Sequence, residues 1–186
     1  MSGIFLGGVL SMAAVLTVSN YLVQFPVGDW MTWAAFTYPL AFLVTDCVNR
    51  AADAATARRV VVVGFVFGVP LSFFFNYYFP AGDVAAADIV IVAARIAFAS
   101  GAAFAAAQLL DVTIFDRFRR AAWWLPPLAS SMPSSLLDTA AFFLLAFAYT
   151  DVPWLSLAIG DFAVKAAMAL LLLPSYRFIV WRLAVS

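Results

Sequence analysis

PWLSLAIGDFAVKAAMALLLLP, from Pro153 to Pro174, decides the fold class of this chain. It is long enough to cross about 30 Å of hydrocarbon as a helix and is apolar throughout except for Asp161 and Lys165. Those two residues are four apart, so they project from one helical face and can form an ion pair within it. At 1.5 Å per residue Asp161 lies about 12 Å from the outer end and Lys165 about 18 Å, near the middle of a bilayer. Ionised groups at that depth cost several kcal/mol unless they face a protein interior or a wet cavity.

Working outward, the same pattern recurs. Arg95 and Asp138 interrupt two other apolar stretches, so two cations and two anions share the apolar interior and can cancel. With 66% hydrophobic and 11% charged residues among 186 and a mean hydropathy of +1.02, the chain reads as an integral membrane protein rather than a soluble domain. Six spans are expected, at Gly3–Val23, Trp30–Val48, Val60–Phe79, Asp88–Asp111, Trp123–Tyr149 and Pro153–Pro174. The connections are short, which makes residues 1–186 one all-α, polytopic domain. The first segment is too long, and lacks the basic leader, for a cleavable signal peptide.

Eight of the ten basic residues fall in the second connection (Arg50, Arg58, Arg59), the fourth (Arg117, Arg119, Arg120) and the C-terminal end (Arg177, Arg182). The first, third and fifth carry Asp29, Asp83, Asp88 and Asp151 and no cation. The positive-inside bias then places both termini in the cytoplasm. Trp30, Trp33, Trp123, Trp124, Trp154 and Trp181 sit near span ends, as interfacial anchors do; Trp33 also suits a pocket wall.

The fourth span is rich in Ala and Gly from Ala93 to Gln108, which suits a central position in a bundle or a homodimer interface. Pro39, Pro70, Pro126, Pro127 and Pro133 interrupt other spans, and freed carbonyls are tolerated at membrane depth only where protein or a wet cavity re-satisfies them. Pro39 then Asp46, and Pro133 then Asp138, recur in the second and fifth spans, compatible with an inverted 3+3 repeat.

The candidate ligand contacts are Asp138, preceded by the hydroxyls of Ser131, Ser134 and Ser135; Asn20 and Gln24, four apart on the first span; Arg95, facing Asp161 or Asp138 or else snorkelling toward Asp88; and Asp161 with Lys165. A structural ion pair is the competing reading for each charged member. Phe36, Tyr38, Phe42, Phe142 and Phe143 are the candidate aromatic walls. Asp46, Asn49 and Arg50 share a face at the inner end of the second span, where tethering to arginines or a gate is expected. With no His or Glu and the single thiol of Cys47, no metal site, cofactor or intrachain disulfide is expected. Intramembrane proteases and lipid phosphatases built on His are excluded, and the scattered aspartates do not make a phosphotransferase. No nucleic-acid partner is expected.

Several runs converge on a family: SNYLVQ from Ser19, TWAAFTYPLAFLVTDCVNR from Thr32, ARIAFAS from Ala94, AQLLDVTIFDRFRR from Ala107, WWLPPLAS from Trp123, LDTAAFF from Leu137, and the Asp161 to Lys165 pair. In order and spacing they resemble the queuosine-precursor transporters of the vitamin-uptake-transporter group. The resemblance implies uptake of 7-cyano-7-deazaguanine and related deazapurines across the bacterial inner membrane, for salvage into the modified tRNA nucleoside queuosine. Relatives carry Asn three residues before the aspartate of the LDT run, where this chain has Ser135. A deazaguanine presents a ring N–H beside an exocyclic amine, which one carboxylate, Asp138, can accept bidentately. Its carbonyl needs a donor such as Asn20, Gln24 or Lys165. A niche for a flat heterocycle, served by alternating access, is the expectation; a substrate-binding membrane subunit of an energised multi-component importer is the second reading.

Overall fold

The computed structural model describes residues 2–28, 30–80 and 84–185; Asp29 and Asp83 of the first and third connections lie outside them. Helix α1 (Ser2–Leu22) leads into a two-stranded hairpin, β1 (Pro26–Val27) against β2 (Met31–Thr32), with Pro26 opposite Thr32. Gly28, at φ +60°, supplies the left-handed turn that a side chain would resist. Then come α2 (Ala34–Thr37), α3 (Leu40–Ala51), α4 (Ala54–Tyr78), α5 (Ile89–Phe118), α6 (Leu125–Phe147), α7 (Trp154–Leu171) and α8 (Leu173–Val185).

Five of these, α1, α4, α5, α6 and α7, are long and apolar enough to cross a membrane. The second expected span differs. Residues 30–32 belong to the hairpin, and the helix after it is broken at Tyr38–Pro39, leaving the short α2 and the twelve-residue α3. Pro39 has no N–H to give the preceding turn, and the chain resumes with Ala41 N bonded to the Tyr38 carbonyl at 3.0 Å. Pro70 and Pro133, by contrast, lie inside continuous helices, and Pro126 and Pro127 occupy the first turn of α6, where their missing N–H groups have no helical partner in any case. Pro39 and Pro133 therefore play unlike structural parts.

Burial is inverted relative to a soluble protein. Leu6, Leu10, Val66, Ile91, Phe98 and Leu171 point outward, while Thr45, Asn49, Gln108, Asp111, Ser130 and Ser134 are wholly enclosed. Lipid solvates the first set without penalty, and the second must find partners inside. The apolar centre gathers Met12 and Leu16 of α1, Val48 of α3, Val60 and Val61 of α4, and Phe104 and Val112 of α5. Helix α5 packs chiefly on α6 and α4. Its small residues are what permit this: a side chain on Gly101 would come within 2.4 Å of Val69. The helix is not enclosed on all sides as its composition suggests, since Phe98 is 67% exposed on its outer face.

The basic second and fourth connections meet at one end of the bundle. Arg50 donates to the Arg119 carbonyl, and Arg119 donates to the carbonyls of Arg50 (3.1 Å) and Ala52 (2.7 Å). Arg177 of α8 lies over the Trp123 ring at 4.8 Å.

Candidate functional site

Lys165 of α7 is held by three acceptors. Its Nζ lies 2.5 Å from Asp161 Oδ2, one turn earlier, and 2.7 Å from Asp138 Oδ2 on α6, and it donates to Thr139 Oγ1 at 3.2 Å. An ammonium has three N–H bonds, and all three are used. Thr139 passes its own hydrogen to Asp161 Oδ2 at 2.7 Å, so the hydroxyl orients both partners. The Tyr38 ring, set at the α2–α3 break, faces the ammonium at 5.5 Å, a cation–π contact strengthened by burial. Lys165 and Asp138 are each 5% exposed at the side chain and Asp161 15%.

Two carboxylates share one ammonium, so the cluster carries one surplus negative charge if both are ionised. The bonds that reach the two aspartates all fall on their Oδ2 atoms, which leaves Oδ1 of each aspartate without a protein hydrogen bond among the described residues. In a low-dielectric interior the pair attraction offsets desolvation only when the remaining lone pairs are satisfied. A ligand bearing N–H donors would complete this arrangement.

Beside the cluster, Phe42 and Asp46 of α3, Ser131 and Ser135 of α6, Lys165 of α7 and Tyr176 of α8 line a cavity of about 20 Å³. That is room for one water, against the roughly 300 Å³ or more of ordinary ligand pockets. The expected niche for a flat heterocycle is thus closed in this structure. A second space of about 10 Å³, between α1, α4 and α5, is lined by Asn20, Tyr38 and Ser100. Tyr38 lines this second space while its ring faces Lys165, which lines the first.

The predicted residues divide accordingly. Asp138, Asp161, Lys165 and Tyr38 form the cluster, and Phe42, Ser135 and Asp46 adjoin it. Asn20 reaches only the second space, with its amide bonded to the Leu16 carbonyl at 2.9 Å. Gln24 lines neither; its Nε2 meets the Asn20 carbonyl at 3.5 Å and its Oε1 is unpartnered. Arg95 corrects the expectation outright. It is exposed and donates to the carbonyls of Leu145 (3.0 Å) and Ala148 (2.6 Å), where the C-terminal end of α6 offers unpaired acceptors and a partial negative charge. It forms no ion pair with Asp138, Asp161 or Asp88 among the described residues.

Trp33, 52% exposed, lines neither cavity, and Phe36, Phe142 and Phe143 are likewise absent from the walls. At the basic end Asn49 donates to the Val112 carbonyl at 3.2 Å. Asp46 is tethered to no arginine; it faces Asp111 of α5 instead. Asp111 and Thr139 are the residues sequence reading passed over. The fourth span was expected to end at Asp111, but α5 continues for two more turns, and the spacing Gln108, Asp111, Val112, Phe115 is the signal that this polar residue lies on the buried face.

A multi-pass helical membrane protein with a buried, incompletely balanced ion cluster between helices is the architecture of a solute carrier. Residues 32–179 match a family model described as "Putative vitamin uptake transporter". The chain is 38% identical over 176 residues to "Queuosine precursor transporter" of Escherichia coli (strain K12), covering 87% of this chain and 80% of that protein. It is 30% identical over 192 residues to "Probable queuosine precursor transporter" of Haemophilus influenzae (89% and 82%), and 31% identical over 178 residues to the protein of the same description in Bacillus subtilis (88% and 75%). This chain belongs to the vitamin uptake transporter family, a family of transporters and not of enzymes. No solved structure matches it.

Proposed function

We propose that the chain imports a queuosine precursor, 7-cyano-7-deazaguanine and related deazapurines, across the bacterial inner membrane by alternating access, with both termini cytoplasmic. The relatives named above support the solute. The observation that carries the site is the doubly paired Lys165 beside a small cavity. Because two carboxylates serve one ammonium, Asp138 can release Lys165 to Asp161 and accept the ring N–H and exocyclic amine of the base on its two oxygens. Lys165 then stays neutralised, and Tyr38 and Phe42 offer ring faces.

Six crossings follow if α2 and α3 act together, since residues 34–51 rise about 27 Å at 1.5 Å each. The 3+3 division then falls between α4 and α5. The cavity lies on that division, with α3 on one side and α6, α7 and α8 on the other, so a rocking motion would open it. Gathering of the basic connections at one end fits an inner face there. The test is uptake of labelled 7-cyano-7-deazaguanine by cells unable to make it, with and without this gene. Equal uptake in the two strains would end the proposal.

A further inference from the structure

Asp46 and Asp111 form a second buried acidic site that the Lys165 cluster does not absorb. They are 2% and 0% exposed and lie on facing stretches of α3 and α5, which the Thr45–Gln108 and Asn49–Val112 hydrogen bonds tie together on either side. Yet Asp46 Oδ1 and both Asp111 oxygens accept no hydrogen bond among the described residues, and neither does the enclosed Asn49 Oδ1 one turn further along α3. Asn49 anchors to the carbonyl next to Asp111 through its amide nitrogen. The Ser130 hydroxyl stands near both carboxyls but gives its hydrogen to the Pro127 carbonyl at 3.3 Å. Thr45 is occupied with Gln108 Oε1 at 2.6 Å.

Among the described residues no cation pairs with these two carboxyls. Lys165, across the cavity, is fully used by its own cluster, and Arg50 and Arg119 are turned to each other's backbone. The remaining titratable neighbours are Cys47 on α3 and Tyr176 from α8. Ionised carboxylates are acceptors only, so two of them in contact have nothing to share unless a small cation lies between them. Between two enclosed carboxyls with no room for a hydrated ion, the cation that fits is a proton.

We propose that Asp46 and Asp111 are the proton-binding site of a proton-coupled transport cycle. This deepens the importer reading and rests on it. Asp46 also lines the cavity beside Lys165, which gives the pair a wet route and gives the cavity a wall that moves with the proton. Helix α3, hung from the Tyr38–Pro39 break, carries Asp46 and Phe42 together. Binding a proton ties α3 to α5; releasing it leaves two like charges that push α3 away. One proton enters and the same proton leaves, with no bond made or broken in the solute.

The test uses purified protein in liposomes with labelled 7-cyano-7-deazaguanine. A pH gradient of one unit, alkaline inside, is expected to raise accumulation by up to about tenfold, the limit for one coupled proton. In Asp111→Asn, which keeps the shape and supplies its own donor, the ratio of gradient-driven to gradient-free uptake should fall to one. An unchanged ratio in that variant, or a wild-type response to sodium in place of protons, would overturn the inference. If wild-type protein exchanges labelled solute yet never accumulates it under the gradient, the proton site fails while the importer reading stands. If it exchanges no solute, the importer reading fails, and infrared difference spectra decide the site. A pH-dependent carboxylic C=O band present in wild type and lost in Asp111→Asn supports it, and its absence from wild type overturns it.

Discussion

Lys165 Nζ lies 2.7 Å from Asp138 Oδ2 across the junction of α6 and α7, while Asp161, on the same helix as the lysine, holds it at 2.5 Å. The intrahelical partner stays in place when α6 shifts, and the interhelical partner need not. Under the proposed function, Asp138 is therefore the carboxylate that exchanges an ammonium for a solute.

Asp138→Ala is expected to abolish uptake of 7-cyano-7-deazaguanine while membrane levels stay normal, because Asp161 continues to neutralise Lys165. Asp161→Asn should behave differently, raising KM by about tenfold or more, since Lys165 would then hold Asp138 against the solute and tenfold corresponds to 1.4 kcal/mol. Lys165→Met should deplete the protein, as removing one member of a buried ion pair costs about 3–5 kcal/mol. Immunoblots of membranes alongside uptake assays separate the three. Normal transport by Asp138→Ala would remove this site assignment.

A side chain at Gly160 would place its Cβ 2.1 Å from the Trp30 carbonyl oxygen. Backbone cannot step aside as a flexible side chain does, so Gly160→Ala should cost about 1–3 kcal/mol and loosen the hairpin from α7 next to Asp161. At Gly7 nothing lies within 4 Å, and Gly7→Ala should leave stability unchanged or slightly higher. Thermal unfolding in detergent compares the two.

Arg95→Gln should lower stability by about 1 kcal/mol through loss of its bonds at the end of α6, with affinity for the solute unchanged. A clear rise in the solute's Kd, measured by equilibrium binding to purified protein, would return Arg95 to the site.

At the start of α4 the Thr56 backbone N–H, donating to Asp53 Oδ1 at 2.7 Å, holds the Asp53 carboxyl below its ordinary value. A carboxyl lowered in the folded state stabilises above its unfolded value, and that contribution fades as pH falls through the folded one. Amide protection in the first turn of α4 should therefore weaken below about pH 4. Asp53→Asn retains the cap and should lose that pH dependence, as hydrogen exchange will report.

Much of this architecture is legible in hydropathy, because lipid imposes length and apolarity on every crossing helix. The Asp161–Lys165 pair is legible too, since four-residue spacing on a helix leaves little choice. What spacing cannot supply is which helices adjoin. Asp46 meets Asp111 only through the packing of α3 on α5, and Arg95 finds α6 carbonyls where charge alone pointed to aspartates. The break at Pro39 was visible as a proline, but Pro133, chemically the same, sits in an unbroken helix. Neighbouring structure, not the residue, decides between them.

The mutual hold of Arg50 and Arg119 uses backbone carbonyls; among the described residues the ion pair to Arg119 is with Asp116, at a loose 3.8 Å. Two like-charged side chains thus rivet one end of the bundle through backbone acceptors. Salt, which screens ion pairs, should leave that rivet intact. Under the proposed orientation, the guanidinium charges also serve as a compass during insertion, steering which flank stays behind as the chain enters the membrane.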